Sequence, residues 1–163
     1  MMNEEMSTHE KLAAELFLGG AGCAQAVFCA FADLHGLDMD TSARLASSMG
    51  GGVGRMRQIC GAVSGAAMAA GLIYGFSLEH THQEKSEHYR RVQEIAHPFE
   101  ERFGSVVCKE ILASRLGKDG VSSAPVPEER SADFYKRRPC LECVRLAARS
   151  LDAYIDTHPI DRK

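Results

Sequence analysis

Apolar residues recur at three- and four-residue spacing along most of this chain, and no convincing stretch alternates apolar with polar as a half-buried strand would. The pattern predicts one helix after another. Ser7-Thr8-His9-Glu10 fits a capping box, with Leu12, Leu16 and Phe17 as the apolar stripe behind it and Gly19-Gly20 as its stop. A second helix is predicted from about Gly22 to His35, with Ala26, Val27, Ala30, Phe31 and Leu34 on one face and Gly36 at its end. Asp40-Thr41 caps a short third helix, Ser42 to Met49. The run from Ile59 to about Tyr74 reads as an apolar helix, and Leu78 to Arg102 as a long charged one with Tyr89, Val92, Ile95, Ala96 and Phe99 facing inward. Pro98 is expected to bend or break it. Val106 to Leu116 and Pro139 to about Asp156 follow, separated by a loop, Gly117 to Pro127, placed to cover a site. The sum is an all-α, single-domain bundle of six or seven helices over residues 1–163.

At 17.8 kDa the chain can bury a core without staples. A net charge of −3 gives no reason to expect nucleic acid as a partner. The start, Met1-Met2-Asn3-Glu4-Glu5-Met6, is acidic and lacks the apolar centre of a signal peptide. The most apolar stretch, Ile59 to Phe76, is interrupted by Gly61, Gly65, Gly71 and Gly75 and is rich in Ala, so no membrane span is expected. These features predict a cytoplasmic protein. Thiols there are kept reduced, and six cysteines then point to catalysis, redox sensing or metal ligation before structural disulfides.

Four of the cysteines, Cys23, Cys60, Cys108 and Cys140, open predicted helices. The first turn of a helix carries unpaired N–H groups and a partial positive charge, which stabilise a thiolate. Cys140 and Cys143 form a CxxC pair on one helix face, behind Lys136, Arg137 and Arg138. Cys23 and Cys29 lie six residues apart, about 240° around a helix, and belong to different faces. Cys29 reads as a small buried hydrophobe. Cys60 heads Cys60-Gly61-Ala62-Val63-Ser64-Gly65, where Gly61 and Gly65 let a second backbone or a flat ligand come close, and Arg55 and Arg57 add positive charge upstream.

Several segments together resemble the C_GCAxxG_C_C family of redox-active proteins. They are Cys23-Ala24-Gln25-Ala26-Val27, the Gly50 to Gly54 run, Cys60 to Gly65, Phe103-Gly104-Ser105 leading to Cys108, and Cys143-Val144-Arg145. They extend over nearly the whole chain, from about Leu16 to Leu151. The resemblance implies that the four signature cysteines fall on Cys23, Cys60, Cys108 and Cys143; Cys29 and Cys140 are additional. It supplies a site and no substrate.

Other motifs carry less. His80, His82 and His88 lie in a charged segment and read as surface residues, and His97 before Pro98 as structural. The Gly50 to Gly54 run lacks a GKS or GKT ending and a preceding strand, so it is no phosphate loop; it reads as a turn that presents N–H groups near Cys60, with Arg55 and Arg57 able to attract an anion. Ser64 has no base in sight. Met49, Met56 and Met68 could donate thioethers to a soft metal but read as core residues.

Two functions are expected. In the first, Cys23, Cys60, Cys108 and Cys143 converge, assisted by Cys140, and cycle between dithiol and disulfide with a partner protein. Cys143 or Cys60, each flanked by cations, would then be the reactive thiol, and Gly61, Gly65 and Arg55 would border any cofactor. In the second, Cys23, Cys60, Cys108 and Cys143 cage zinc or an iron–sulfur cluster. The apolar, small-residue helix would also suit a homodimer interface.

Overall fold

In the computed structural model, residues 5–161 are described; Met1 to Glu4 of the acidic opening lie outside them. Among the described residues the chain forms nine α-helices, a single 3-10 turn and no strand. The helices are α1 (Thr8–Leu18), α2 (Cys23–Ala30), α3 (Ala32–His35), α4 (Met39–Ser47), α5 (Gly61–Tyr74), α6 (His82–Phe103), α7 (Cys108–Leu116), α8 (Ala132–Arg137) and α9 (Cys140–Thr157), with the 3-10 turn at Lys118–Gly120.

The all-α class is as expected, and the higher helix count has two local causes. The helix predicted from Gly22 to His35 divides at Phe31, whose N–H bonds to Phe28 O (3.2 Å) and tightens the last turn of α2. The short α8 has too few residues to show a period. It starts where the Ser131 hydroxyl accepts from Phe134 N–H. Helix α4 begins at Met39, because Asp38 is the cap that accepts from Thr41 N–H (2.9 Å). Pro98 does not end α6. Ile95 and Phe99, buried on either side of it, hold the helix where it packs against α5 and α9.

Helix α2 is the centre of the packing and touches α1, α4, α5 and α9. Ala24, Ala26, Val27 and Phe28 are fully buried, and a large side chain such as Phe28 contributes about 1.5–3 kcal/mol when burial is complete. Helix α5 comes close enough that a Cβ on Gly65 would lie 2.7 Å from Ala24 O, and one on Gly61 3.1 Å from the Cys23 Cβ. The small-residue face of α5 is therefore occupied from within the chain, by α2.

The starts of α5 and α7 are joined by an isolated antiparallel bridge between Ile59 and Val107. Cys60 N–H donates to Val106 O (2.8 Å) and Cys108 N–H to Gln58 O (2.6 Å). Two thiols 48 residues apart thus begin their helices side by side.

Candidate functional site: a thiol cavity where four helices begin

Cys23 is the first residue of α2, Cys108 of α7 and Cys140 of α9, while Cys60 caps α5. All four, with Cys143 one turn into α9, line one cavity of about 310 Å³. The positive dipole ends of these helices therefore meet around a common space, although the Cys60 and Cys108 N–H groups are themselves paired with Val106 O and Gln58 O. Gln25, the third residue of α2, accepts from Gly22 N–H (2.9 Å) and donates to Ala43 O (2.9 Å), which fixes the Cys23 end of that helix.

One wall is the Gly-rich turn. Gly51 to Arg55 have φ between 55° and 72°, and Arg57 has φ 60°, so a run of residues is left-handed. Each non-glycine there costs about 1–2 kcal/mol. A Cβ on Gly52 would sit 2.6 Å from Gln58 N, so only glycine fits. Such strain is typical of segments that hold functional groups in place, and this turn holds two. Arg55 Nε donates to Ala124 O (2.7 Å) and Arg57 Nε to Ser122 O (2.8 Å), which ties the segment after the 3-10 turn over the cavity, where Pro125, Pro127 and Glu128 line it. The loop expected to cover a site does so.

A family model described as "Putative redox-active protein (C_GCAxxG_C_C)" matches residues 21–154. The chain belongs to the C_GCAxxG_C_C family. The curated proteins and the solved structures compared with it gave no match. The span of the C_GCAxxG_C_C match includes all five cavity thiols, the Gly-rich turn and the covering segment.

All six cysteines are free thiols, with no pair at disulfide distance. Within the cavity they associate in pairs. Cys140 is the hydrogen-bond partner of Cys23, and this contact lowers the Cys23 pKa to about 7 against the opposing effect of burial; the Arg130 charge, the Cys23 N–H at the helix start and the Arg57 charge lower it further. Cys140 is correspondingly raised, first by that shared hydrogen bond and then by burial. Cys143 is raised as the hydrogen-bond partner of Cys60 and by burial, being only 2% exposed. Burial also raises Cys108, opposed by a hydrogen bond from Arg57 Nη1 (3.7 Å). Where the sequence pointed to Cys143 or Cys60 as the reactive thiol, the thiol shifted toward thiolate is Cys23. The largest influence on Cys140 is Cys23 and on Cys143 is Cys60, so neither CxxC residue is governed chiefly by the other.

Gly61 lines the cavity, as does Arg55; Gly65 does not, since α2 fills the space beside it. Cys29 is buried away from the cavity, and desolvation raises its pKa. Among the described residues, no group of three or more His, Cys, Asp or Glu side chains is arranged to hold a metal ion. His88 is buried, contrary to the surface expectation, with Nδ1 near Arg91 (3.1 Å) and its ring edge-on to Phe76. Tyr89 is exposed instead. His97 is at the surface beside Glu101.

Two charged cavity residues, Glu128 and Arg130, gave little signal in the sequence, and Arg138 stood out there only as part of a basic run. Arg130 stacks near Phe17 and Phe134 and donates to Phe17 O and Ala21 O, so its guanidinium is placed by aromatic rings and by the carbonyls that end α1. Arg138 is buried over the Phe134 ring, and Glu128 pairs with it (3.0 Å). No periodic pattern marks Glu128 or Arg130, which precede α8.

Proposed function

We propose that the protein is a thiol–disulfide exchange protein in which Cys23 attacks and Cys140 resolves, with Cys60 and Cys143 as a second, deeper dithiol. The observation that carries this reading is that Cys23 and Cys140 line one cavity at the meeting point of helix starts, and the Cys140 thiol and nearby cations lower the Cys23 pKa to about 7. An attacking thiol works best with a pKa close to ambient pH, where thiolate is abundant and still nucleophilic. The Cys23 thiolate forms a bond to one sulfur of a disulfide and expels the other as thiolate. The Cys140 proton goes to that leaving group. The Cys140 thiolate then attacks the Cys23 sulfur, which closes the intramolecular disulfide and releases the second half of the substrate. Two electrons pass from the dithiol to the substrate, and a partner protein's dithiol would restore the reduced state in a cytoplasmic setting. Cys23 and Cys140 are not at disulfide distance as they stand, so closing that bond requires the starts of α2 and α9 to approach each other.

No helix is long and apolar enough to cross a membrane among the described residues. The alternative, zinc or an iron–sulfur cluster on Cys23, Cys60, Cys108 and Cys143, draws on the same cavity, but among the described residues these thiols are not arranged to hold a metal ion as they stand.

The test is controlled oxidation of anaerobically purified protein, followed by metal analysis and peptide mapping. The expected result is a metal-free protein in which Cys23–Cys140 is the first disulfide formed. Stoichiometric iron or zinc would favour the alternative, and a cavity whose thiols all alkylate like free cysteine would end the exchange reading.

A further inference from the structure

The cavity wall carries the guanidinium groups of Arg55, Arg57, Arg130 and Arg138 against the single carboxylate of Glu128. Glu128 pairs with Arg138, and also with Arg137. Arg55, Arg57 and Arg130 bond to backbone carbonyls or to sulfur and have no carboxylate within ion-pair distance among the described residues. Arg138 is 8% exposed, and its Nε lacks any hydrogen-bond partner. Gathering cations in a partly desolvated space is unfavourable. The effect is visible at Arg55, whose pKa is lowered by burial and then by the charges of Arg57 and Arg138. The positive ends of α2, α5, α7 and α9 act in the same direction. A buried guanidinium with an unused donor, in a cavity already rich in positive charge, is a provision for an anion.

Size and lining narrow the choice. About 310 Å³ is at the low end of small-molecule sites, which run from roughly 300 to 1,000 Å³. Phe17, Ile111, Leu112 and Phe134 also line the cavity, and apolar surface of this kind suits a short aliphatic chain.

We propose that the cavity admits a small aliphatic disulfide bearing terminal carboxylates, with the arginines selecting it by charge and delivering its sulfur to Cys23. This substrate class rests on the exchange reading above and supplies the oxidant for it. Cys23 thiolate, Cys140 thiol and the small disulfide become the Cys23–Cys140 disulfide, one free thiol and one thiolate, so electrons, protons and charge balance. The partner protein's dithiol then serves only to reduce the enzyme again.

Three disulfides of similar length separate charge from reactivity: 3,3′-dithiodipropionate (anionic), bis(2-hydroxyethyl) disulfide (neutral) and cystamine (cationic). Reduced protein is mixed with each, Cys23 oxidation is followed by mass-resolved quenching, and rates are divided by those of a free thiol at the same pH. The expected normalised preference for the dianion over the neutral compound is at least about tenfold, within the roughly 10–10³ range of electrostatic focusing, and it shrinks as salt rises. Arg138→Gln should reduce the ratio while the neutral disulfide reports any change in the thiol itself. Suberate, with the same number of atoms between its carboxylates as the dianionic disulfide but no S–S bond, should slow alkylation of Cys23 by neutral iodoacetamide, and 1,6-diaminohexane should not. Equal normalised rates, or a preference for cystamine, overturn the proposal and leave the exchange reading intact. Reaction with a protein disulfide such as insulin but with none of the three small ones also overturns it. If Cys23 reacts with no disulfide of either kind, both readings fall. The wild-type comparison stands even if the Arg138 variant does not fold.

Discussion

Arg57 donates to the Cys108 sulfur across 3.7 Å from a residue whose own backbone is left-handed, at φ 60°. The side chain is buried, and its Nε is held by Ser122 O. Arg57→Gly should relax the backbone and remove the donor together. Burial would then act on Cys108 without opposition, so its alkylation at fixed pH should slow several-fold while that of exposed model thiols is unchanged. Mass-resolved iodoacetamide kinetics read this directly. A looser cover changes access at every pH, so the midpoint of the Cys108 pH–rate profile isolates the contact, and an unshifted midpoint would show that the contact does not affect the thiol.

The Cys23–Cys140 pair gives a sharper titration. Cys23 should alkylate with a midpoint near pH 7, against about 8.5 for an ordinary cysteine. Cys140→Ala removes the largest cause of that depression and should move the midpoint upward. Cys140→Ser keeps an O–H donor and should move it less. A midpoint that ignores both changes would assign the depression to Arg130 and the helix end alone.

Gly65→Ala tests the α2–α5 contact independently of chemistry. The new methyl would press on Ala24 O and the Val27 Cβ, and overpacking of this kind costs about 1–3 kcal/mol. For a chain of this size, the melting temperature should fall by about 2–4 °C per kcal/mol. Gly71→Ala, with nothing within 4 Å of its Cβ, is the control and should be neutral or slightly stabilising.

Glu10 sits 2% exposed in α1, held by Arg145 Nε (3.0 Å) and Arg149 Nε (3.4 Å) of α9, both arginines being far more exposed. The asymmetry predicts an order of effects. Removing both arginines strands a buried carboxylate, a loss of about 3–5 kcal/mol when a buried pair is broken in this way. Glu10→Gln leaves arginines that water can solvate and should cost less. Denaturant melts of the two variants check the order.

His9 bridges Asp152 (2.6 Å) and Asp33 (2.9 Å) and stacks on Phe31. The Asp152 hydrogen bond raises its pKa, against burial, with Asp33 adding to the effect. A raised folded-state pKa stabilises fully below the unfolded value, near 6.5, and the gain is lost as pH rises through the folded value. The protein should therefore lose stability over the range just above about pH 6.5, and His9→Gln should flatten that slope. A slope of the opposite sign would contradict the clasp.

Much of this was legible in the chain. Helix starts at Cys23, Cys60, Cys108 and Cys140 follow from local caps and breakers, and local signals are what a sequence states openly. The pairing of thiols was hidden because it is tertiary. Cys140 and Cys143 are neighbours on one helix, yet the strongest influence on the first is Cys23 of α2 and on the second is Cys60 at the start of α5. Arg130 could not be found by spacing, since its position depends on rings of α1 and α8 and on two carbonyls near the end of α1. The division at Phe31 and the inward turn of His88 also depend on what packs against them.

Arg55 and Arg57 bring charge to the cavity and also latch its cover, through Ala124 O and Ser122 O. Admission and attraction are consequently governed by the same two side chains. A substitution to alanine would loosen the doorway and discharge it in one step, so its effect could not be divided between them. Arg55→Lys separates them: the cation survives while the planar fork that grips Ala124 is lost. In the natural sequence the cover of the cavity and part of its positive charge are therefore set by the same residues.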